Sequence, residues 1–237
     1  LASTAGTGSA SKALPNETSV GKAFDALPVP AVDAKVRLLT ENKDSWLAIW
    51  HVLKGASKEL DATYFIFNRD VFGAAFLGTM LRKAREGTKV RLLLDASGDS
   101  LGRTGFTQTW RGQDYLQALA GAGGTVRVYH PLHKKVPKAL LMQQTLMGIA
   151  CNHDKLIRSE NMAVTGGRNI SGDYFVSPQD RGDVYRDTDV LVDGARASKQ
   201  FEKAFTTEFD RDDLTYKIAS DGLGDWHDRD GELIGSS

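Results

Sequence analysis

Two hydropathy patterns alternate along the chain: apolar positions at helical spacing, and short uninterrupted apolar runs. Trp46, Leu47, Ile49, Trp50 and Leu53 share one face of a helix expected over about 45–58, with Asp44 as its cap. Leu60 to Phe67 is short, apolar and aromatic, as a buried strand is. A second helix is expected over about 72–86, ended by a left-handed Gly87. Lys89 to Asp95 (KVRLLLD) reads as a second buried strand. A helix over about 111–121, stopped by Gly121, Gly123 and Gly124, leads into a third strand, Thr125 to Tyr129. Further on, short strands are expected at about 155–159, 162–165 and 187–192, then a helix at about 196–209.

Strand–helix alternation in the front half predicts an α/β fold: a mostly parallel mixed β-sheet flanked by helices on both faces. Residues 1–33 are of low complexity, with Pro28 and Pro30 near their end, and read as a flexible lead-in. The body is expected over 34–210. Residues 211–237 are rich in Asp and Gly and read as a polar tail or linker. No internal repeat of the body is visible.

Composition narrows the picture without deciding it. The 237 residues are 41% hydrophobic, enough for one sizeable core. Thirty basic and thirty acidic residues give a net charge of zero, so no global charge argues for a polyanion partner. One cysteine, Cys151, excludes an internal disulfide and reads as packing. No apolar run approaches the roughly 18 residues of a membrane span. Leu1 to Thr18, rich in Ala, Ser, Thr and Gly, reads equally as the remnant of an export leader or as a disordered end.

The chemistry concentrates between 153 and 169. His153 and Lys155 are two apart and face the same way on an extended segment. Placing both against one pocket is costly, because each loses solvation and the lysine charge disfavours a protonated imidazole. An anion between them resolves the conflict: lysine neutralises it and a neutral imidazole attacks it. Gly166-Gly167-Arg168-Asn169 follows an apolar strand. Two glycines permit close backbone approach to a ligand, and the Asn169 amide offers a donor for a phosphate oxygen.

This pattern resembles the His-x-Lys-x4-Asp signature of the phospholipase D superfamily, with its following Gly-Gly/Ser-x-Asn element. His153, Lys155, Gly166, Gly167 and Asn169 match; Glu160 stands where the family has aspartate. The likeness extends through SKALPNETSVGKAF, LDATYFIFNRDVFG, KVRLLLDAS, VRVYHP, GGRNISGDYF and RDTDVLVDG, in the order found in bacterial cardiolipin-synthase-like members. It covers most of residues 10–210.

The resemblance implies a phospholipase D-like lobe that acts on phospholipids or other phosphodiesters. His153 is then the nucleophile or its acid partner, and Lys155, Asn169, Gly166 and Gly167 hold phosphate. Glu160 supports the histidine, and no metal or other cofactor is required. Family members use two such motifs in one active site, and this chain carries one. His51, His130, His133 and His227 do not form a second, and His133 reads as a solvated loop residue or as a lining of the pocket mouth. The second motif is expected from a carboxyl-terminal lobe or another chain, or from a homodimer, which brings a nuclease-like or general phosphodiesterase reading. A degenerate, non-catalytic lobe is the third reading. The family also implies a bacterial envelope or secreted setting.

Tyr64, Phe65 and Phe67 are expected mainly in the core. Asn68 and Asp70 follow a strand at the end where ligands gather. Asp95 is expected to cap or orient a neighbour, and Asp187 to orient one. The apolar stretch Val136 to Ile149, with Lys134 and Lys135 before it and Lys138 near its start, fits an ordinary packed helix or a peripheral contact with a lipid surface.

Overall fold

Strands β1 (Lys35–Leu39), β2 (Glu59–Tyr64), β3 (Lys89–Asp95) and β4 (Thr125–Tyr129) alternate with helices α1 (Asn42–Gly55), α2 (Val71–Arg85) and α3 (Tyr115–Gly121) in the computed structural model. A hairpin follows, β5 (Leu156–Ser159) and β6 (Met162–Gly166), then the short α4 (Gly172–Phe175). β7 (Asp189–Asp193), α5 (Ala195–Phe209) and β8 (Thr215–Lys217) complete the order. The structure describes residues 21–22, 26–27, 30–96, 98, 115–129 and 151–218. The chain divides into two units, Leu1–Asp33 and Ala34–Ser237, and the second contains the sheet.

The strands form one mixed sheet in the order β1-β7-β6-β5-β2-β3-β4-β8. Parallel pairing is confined to β2-β3 and β3-β4, where α2 and α3 supply the crossovers that parallel neighbours need. The other neighbours, β1-β7, β7-β6, β6-β5, β5-β2 and β4-β8, are antiparallel. The expected mixed, helix-flanked sheet is present, but its balance differs from the expected mostly parallel one. The second half returns by a tight hairpin and by strands that insert against the first half. β8 is a further correction: residues 215–217, read as tail, pair with β4 and carry the sheet past residue 210.

Side-chain alternation divides the core in two. Leu60, Ala62 and Tyr64 of β2 and Leu92 and Leu94 of β3 pack with α1, α2 and α3 on one face. Leu93 points the other way and joins Leu156, Ala163, Phe205 and Phe209 beneath α5. That second face also buries charge. Arg91 grips Asp61 through both oxygens, at 2.7 and 2.8 Å, and Arg158 reaches Asp61 at 2.6 Å. The Arg91 guanidinium lies 4.9 Å from the ring centre of Phe205 and 5.5 Å from that of Phe209.

Element ends show where local chemistry departs from the simple pattern. α1 starts earlier than expected, so Asp44 lies in its first turn and does not cap it. The strand expected over 60–67 stops at Tyr64, and Phe67 makes an isolated bridge with Ile170. Asp70 caps α2, accepting from the Phe72 and Gly73 amides at 3.0 Å each, and it also holds the Gly172 amide. Gly87 follows α2 with φ +90°, the left-handed conformation expected there. Tyr64 and Phe67 are buried as expected. The 131–150 stretch, His130, His133, His227 and the tail beyond 218 lie outside the described residues.

Candidate active site

Residues 151–155 run into β5 beside the carboxyl ends of β2 and β3, because Leu156 pairs with Thr63 near the end of β2. The segment itself is not a strand. His153 is exposed and Lys155 is buried, 6% accessible. The Lys155 Nζ lies 3.2 Å from His153 Nδ1 and 3.3 Å from Nε2, and it donates to the His153 carbonyl at 2.8 Å. Near-equal distances to both ring nitrogens place the ammonium against the imidazole as a whole and not along one lone pair. The ring rests on Phe65, with centroids 4.6 Å apart and planes tilted by 57°. Phe65, expected in the core, is thus half-buried and forms the floor under His153.

Burial holds the Lys155 ammonium below its usual value, against the opposing charges of Asp187 and Asp154. Among the described residues no carboxylate lies within ion-pair distance of it. A buried cation without a close carboxylate is suited to receive an anion. A cavity of about 290 Å³ opens there. Its polar lining includes His153, Lys155, Asn152 and Gly166 together with the carboxylates of Asp154 and Glu208, and Leu93, Leu156, Phe201 and Phe205 form an apolar wall under α5.

The backbone around His153 is anchored from β3 and β2. Asp95 accepts the Asn152 amide at 2.7 Å, and the Asn152 side-chain oxygen accepts from the Thr63 hydroxyl and the Asp154 amide, each at 3.2 Å. The orienting role expected of Asp95 is therefore visible.

Glu160 is not part of this constellation. It sits in the β5–β6 turn, beyond the whole of β5, a span of roughly 13 Å for four strand residues. Its carboxylate accepts from the Ser57 hydroxyl at 2.6 Å and from the Ser57 and Glu59 amides at 3.1 and 3.5 Å. Burial alone raises its pKa, but these bonds pull it down to about 2. The expected support of the histidine is replaced by a strand-end brace, because β5 lies between His153 and Glu160 and carries them to its opposite ends.

The two glycines are needed for contact with the chain's own acids. A Cβ on Gly166 would run into Asp189 and the Thr188 carbonyl, and one on Gly167 into the Asp187 carboxylate. Gly166 lines the cavity; Gly167 does not. Asn169 is buried, and its amide oxygen accepts from the Ile66 amide at 3.0 Å while its nitrogen donates to the Tyr174 hydroxyl at 3.1 Å. That arrangement fastens the chain leaving β2, and one of the two amide protons remains for another acceptor.

Arg168, between them, was not singled out by the sequence. It is fully buried and donates to the Leu39 and Thr40 carbonyls, to Asn42 and to Asp189. Burial pushes the Asp189 carboxyl up against the opposing pull of Arg168. No group of three or more His, Cys, Asp or Glu side chains that suits a metal ion occurs among the described residues.

No family model matches the chain. It is 27% identical over 163 residues to the major cardiolipin synthase of Bacillus subtilis, a match covering 68% of this chain and 30% of that protein. It is 26% identical over 187 residues to a cardiolipin synthase of Listeria monocytogenes, covering 78% of this chain and 35% of that one. The chain thus spans about a third of the length of the curated relatives it matches. In fold it resembles phosphatidylserine synthase of Haemophilus influenzae, with TM-score 0.56 and 14% identity over 84% of this chain and 42% of that one. It also resembles Nuc of Salmonella typhimurium, described as a phospholipase D family member, with TM-score 0.52 and 13% identity over 79% of this chain and 99% of that one.

Proposed function

We propose that this chain, which is similar to cardiolipin synthases and in fold to a phospholipase D family member, supplies one of two motif lobes to an enzyme that cleaves or transfers phospholipid phosphodiesters. The observation that carries the reading is the pairing of an exposed imidazole with a buried ammonium that has no ion-pair partner among the described residues, both lining one cavity.

In the proposed reaction one phosphodiester oxygen binds at the Lys155 ammonium. A ring nitrogen of His153 attacks phosphorus, and a P–N bond forms as the P–O bond to the leaving alcohol breaks. The leaving oxygen takes its proton from a group of the second motif. Water or a second alcohol then attacks the phosphohistidine, gives up its proton to that same group, and frees His153. Lys155 offsets negative charge on the non-bridging oxygens throughout, which is electrostatic stabilisation at a fixed site. Gly166 lines the same cavity. Asn169, with one amide proton left to give, fastens the surrounding loop and offers a further donor. Gly167 lets the Asp187 carboxylate come close.

The test uses the full polypeptide that carries this chain, with phosphatidylglycerol vesicles as substrate. His153→Ala should lower release or transfer of the head group at least about a thousand-fold, with the fold intact. Retained turnover in that variant rejects the proposal.

The near-complete overlap with Nuc favours a second reading, in which two copies of this lobe pair about a two-fold axis and each contributes one motif. Salt-dependent cleavage of DNA by a dimer, with vesicles untouched, selects it. A net charge of zero argues against it.

A further inference from the structure

We propose that Asp95 is the positioning residue for His153: each of its carboxylate oxygens fixes a different wall of the nucleophile's seat. The proposal rests on the reading of His153 as nucleophile and adds what holds that group in place.

Asp95 ends β3 and is 1% exposed. One oxygen, Oδ2, accepts the Asn152 amide at 2.7 Å. The other, Oδ1, accepts the Gly98 amide at 2.9 Å. The first bond fixes the backbone directly before His153. Asn152 then extends the hold past it, because its side-chain oxygen accepts the Asp154 amide and the Thr63 hydroxyl. The second bond holds Gly98, three residues past the end of β3. Gly98 there lies so close to the Phe65 carbonyl and ring that a Cβ has no room. Phe65 is the ring on which His153 rests, and its centre lies 5.7 Å from the Lys155 ammonium. One carboxylate therefore sets both the height of the imidazole's backbone and the floor beneath its ring.

The residue type follows from the chemistry. Two amides need two acceptor oxygens, and a carboxylate supplies both with charge-assisted bonds about twice as strong as neutral ones. A carboxamide has a single acceptor oxygen. Asp95→Asn must therefore set an N–H against either Asn152 or Gly98 while keeping size and shape. The shift this causes at His153 is small, but displacement of a reacting group by about 1 Å costs on the order of a hundred-fold in rate.

The experiment compares wild type and Asp95→Asn in the full polypeptide. It measures kcat and KM on phosphatidylglycerol vesicles, the exchange rate of the Asn152 amide, and carbethoxylation of His153 by diethyl pyrocarbonate. Exposed His51 on α1 serves as the internal reference for carbethoxylation. The expected result is a kcat lowered about ten- to a hundred-fold with KM within about two-fold. Faster exchange at Asn152 and an altered His153-to-His51 modification ratio accompany it. A folded variant with wild-type kcat and an unchanged ratio overturns the proposal. If Asp95→Asn does not fold, Thr63→Val removes the hydroxyl bond to Asn152 from the same seat. It is expected to change kcat and the ratio in the same direction by a smaller factor, and wild-type values there overturn the proposal equally. Activity surviving in His153→Ala would reject the nucleophile reading alone, and the modification ratio would still decide whether Asp95 positions the ring.

Discussion

The Lys155 ammonium lies 3.2 and 3.3 Å from the two ring nitrogens of His153 and is bonded to that residue's own carbonyl. Burial keeps its pKa below the ordinary 10.5. Between that lowered value and 10.5 the unfolded chain binds more protons than the folded one, so stability rises with pH across that window. Below the window the buried charge is a standing cost, and a bound anion removes it.

Lys155→Met is therefore expected to leave the melting temperature without added anion equal to wild type or higher. Wild type should gain thermal stability from inorganic phosphate or vanadate near neutral pH, and lose that gain as pH rises through the lowered Lys155 value. The variant should show no gain at any pH. Thermal melts with and without anion check both halves.

Glu160→Gln should cost stability and spare turnover. The carboxylate's pKa of about 2 lies below the ordinary 4.5, so its contribution is full above 4.5 and is lost as pH falls from there to about 2. Its partly exposed position reduces the contribution to about 1–2 kcal/mol after solvent screening. Denaturant melts over that acid range check the size, and kcat within about two-fold of wild type checks the distance from the site.

Asp61→Ala is expected to cost about 3–5 kcal/mol, because it leaves Arg91 and Arg158 buried beneath α5 without their shared carboxylate. Urea unfolding measures it. A loss below about 1 kcal/mol would mean that Glu59 alone satisfies Arg158 and that Thr206 and the two aromatic rings hold Arg91.

How much of this was legible in the sequence depended on the kind of signal. β3 and β4 have the bounds read from the chain, since each is a largely apolar run that begins just after glycine, and β4 ends just before Pro131. Gly87 was legible because few other residues accept its backbone conformation. Strand direction was not: hydropathy marks a strand as buried but carries no sign for its neighbour, so the antiparallel half went unread. β8 escaped because three residues of mixed polarity have no periodicity to detect. Asp61, Arg91, Arg158 and Arg168 escaped for a related reason, as charged residues within or beside strands read as solvent-facing until their partners across the sheet are known. His153 and Lys155 were found by spacing, and the structure brings them together by side-chain reach without a strand. Glu160 was placed by the family resemblance alone, and the support it implied for the histidine fails because the whole of β5 intervenes.

The most direct measurement is trapping of the covalent intermediate. The full polypeptide is mixed with phosphatidylglycerol labelled in its phosphate, quenched within a turnover, and digested for mass spectrometry under alkaline conditions that preserve phosphohistidine. Nucleophilic attack by His153 predicts a phosphatidyl adduct on the peptide containing it, absent from His153→Ala. Turnover with no adduct at His153, or an adduct on another residue of this chain, would contradict it.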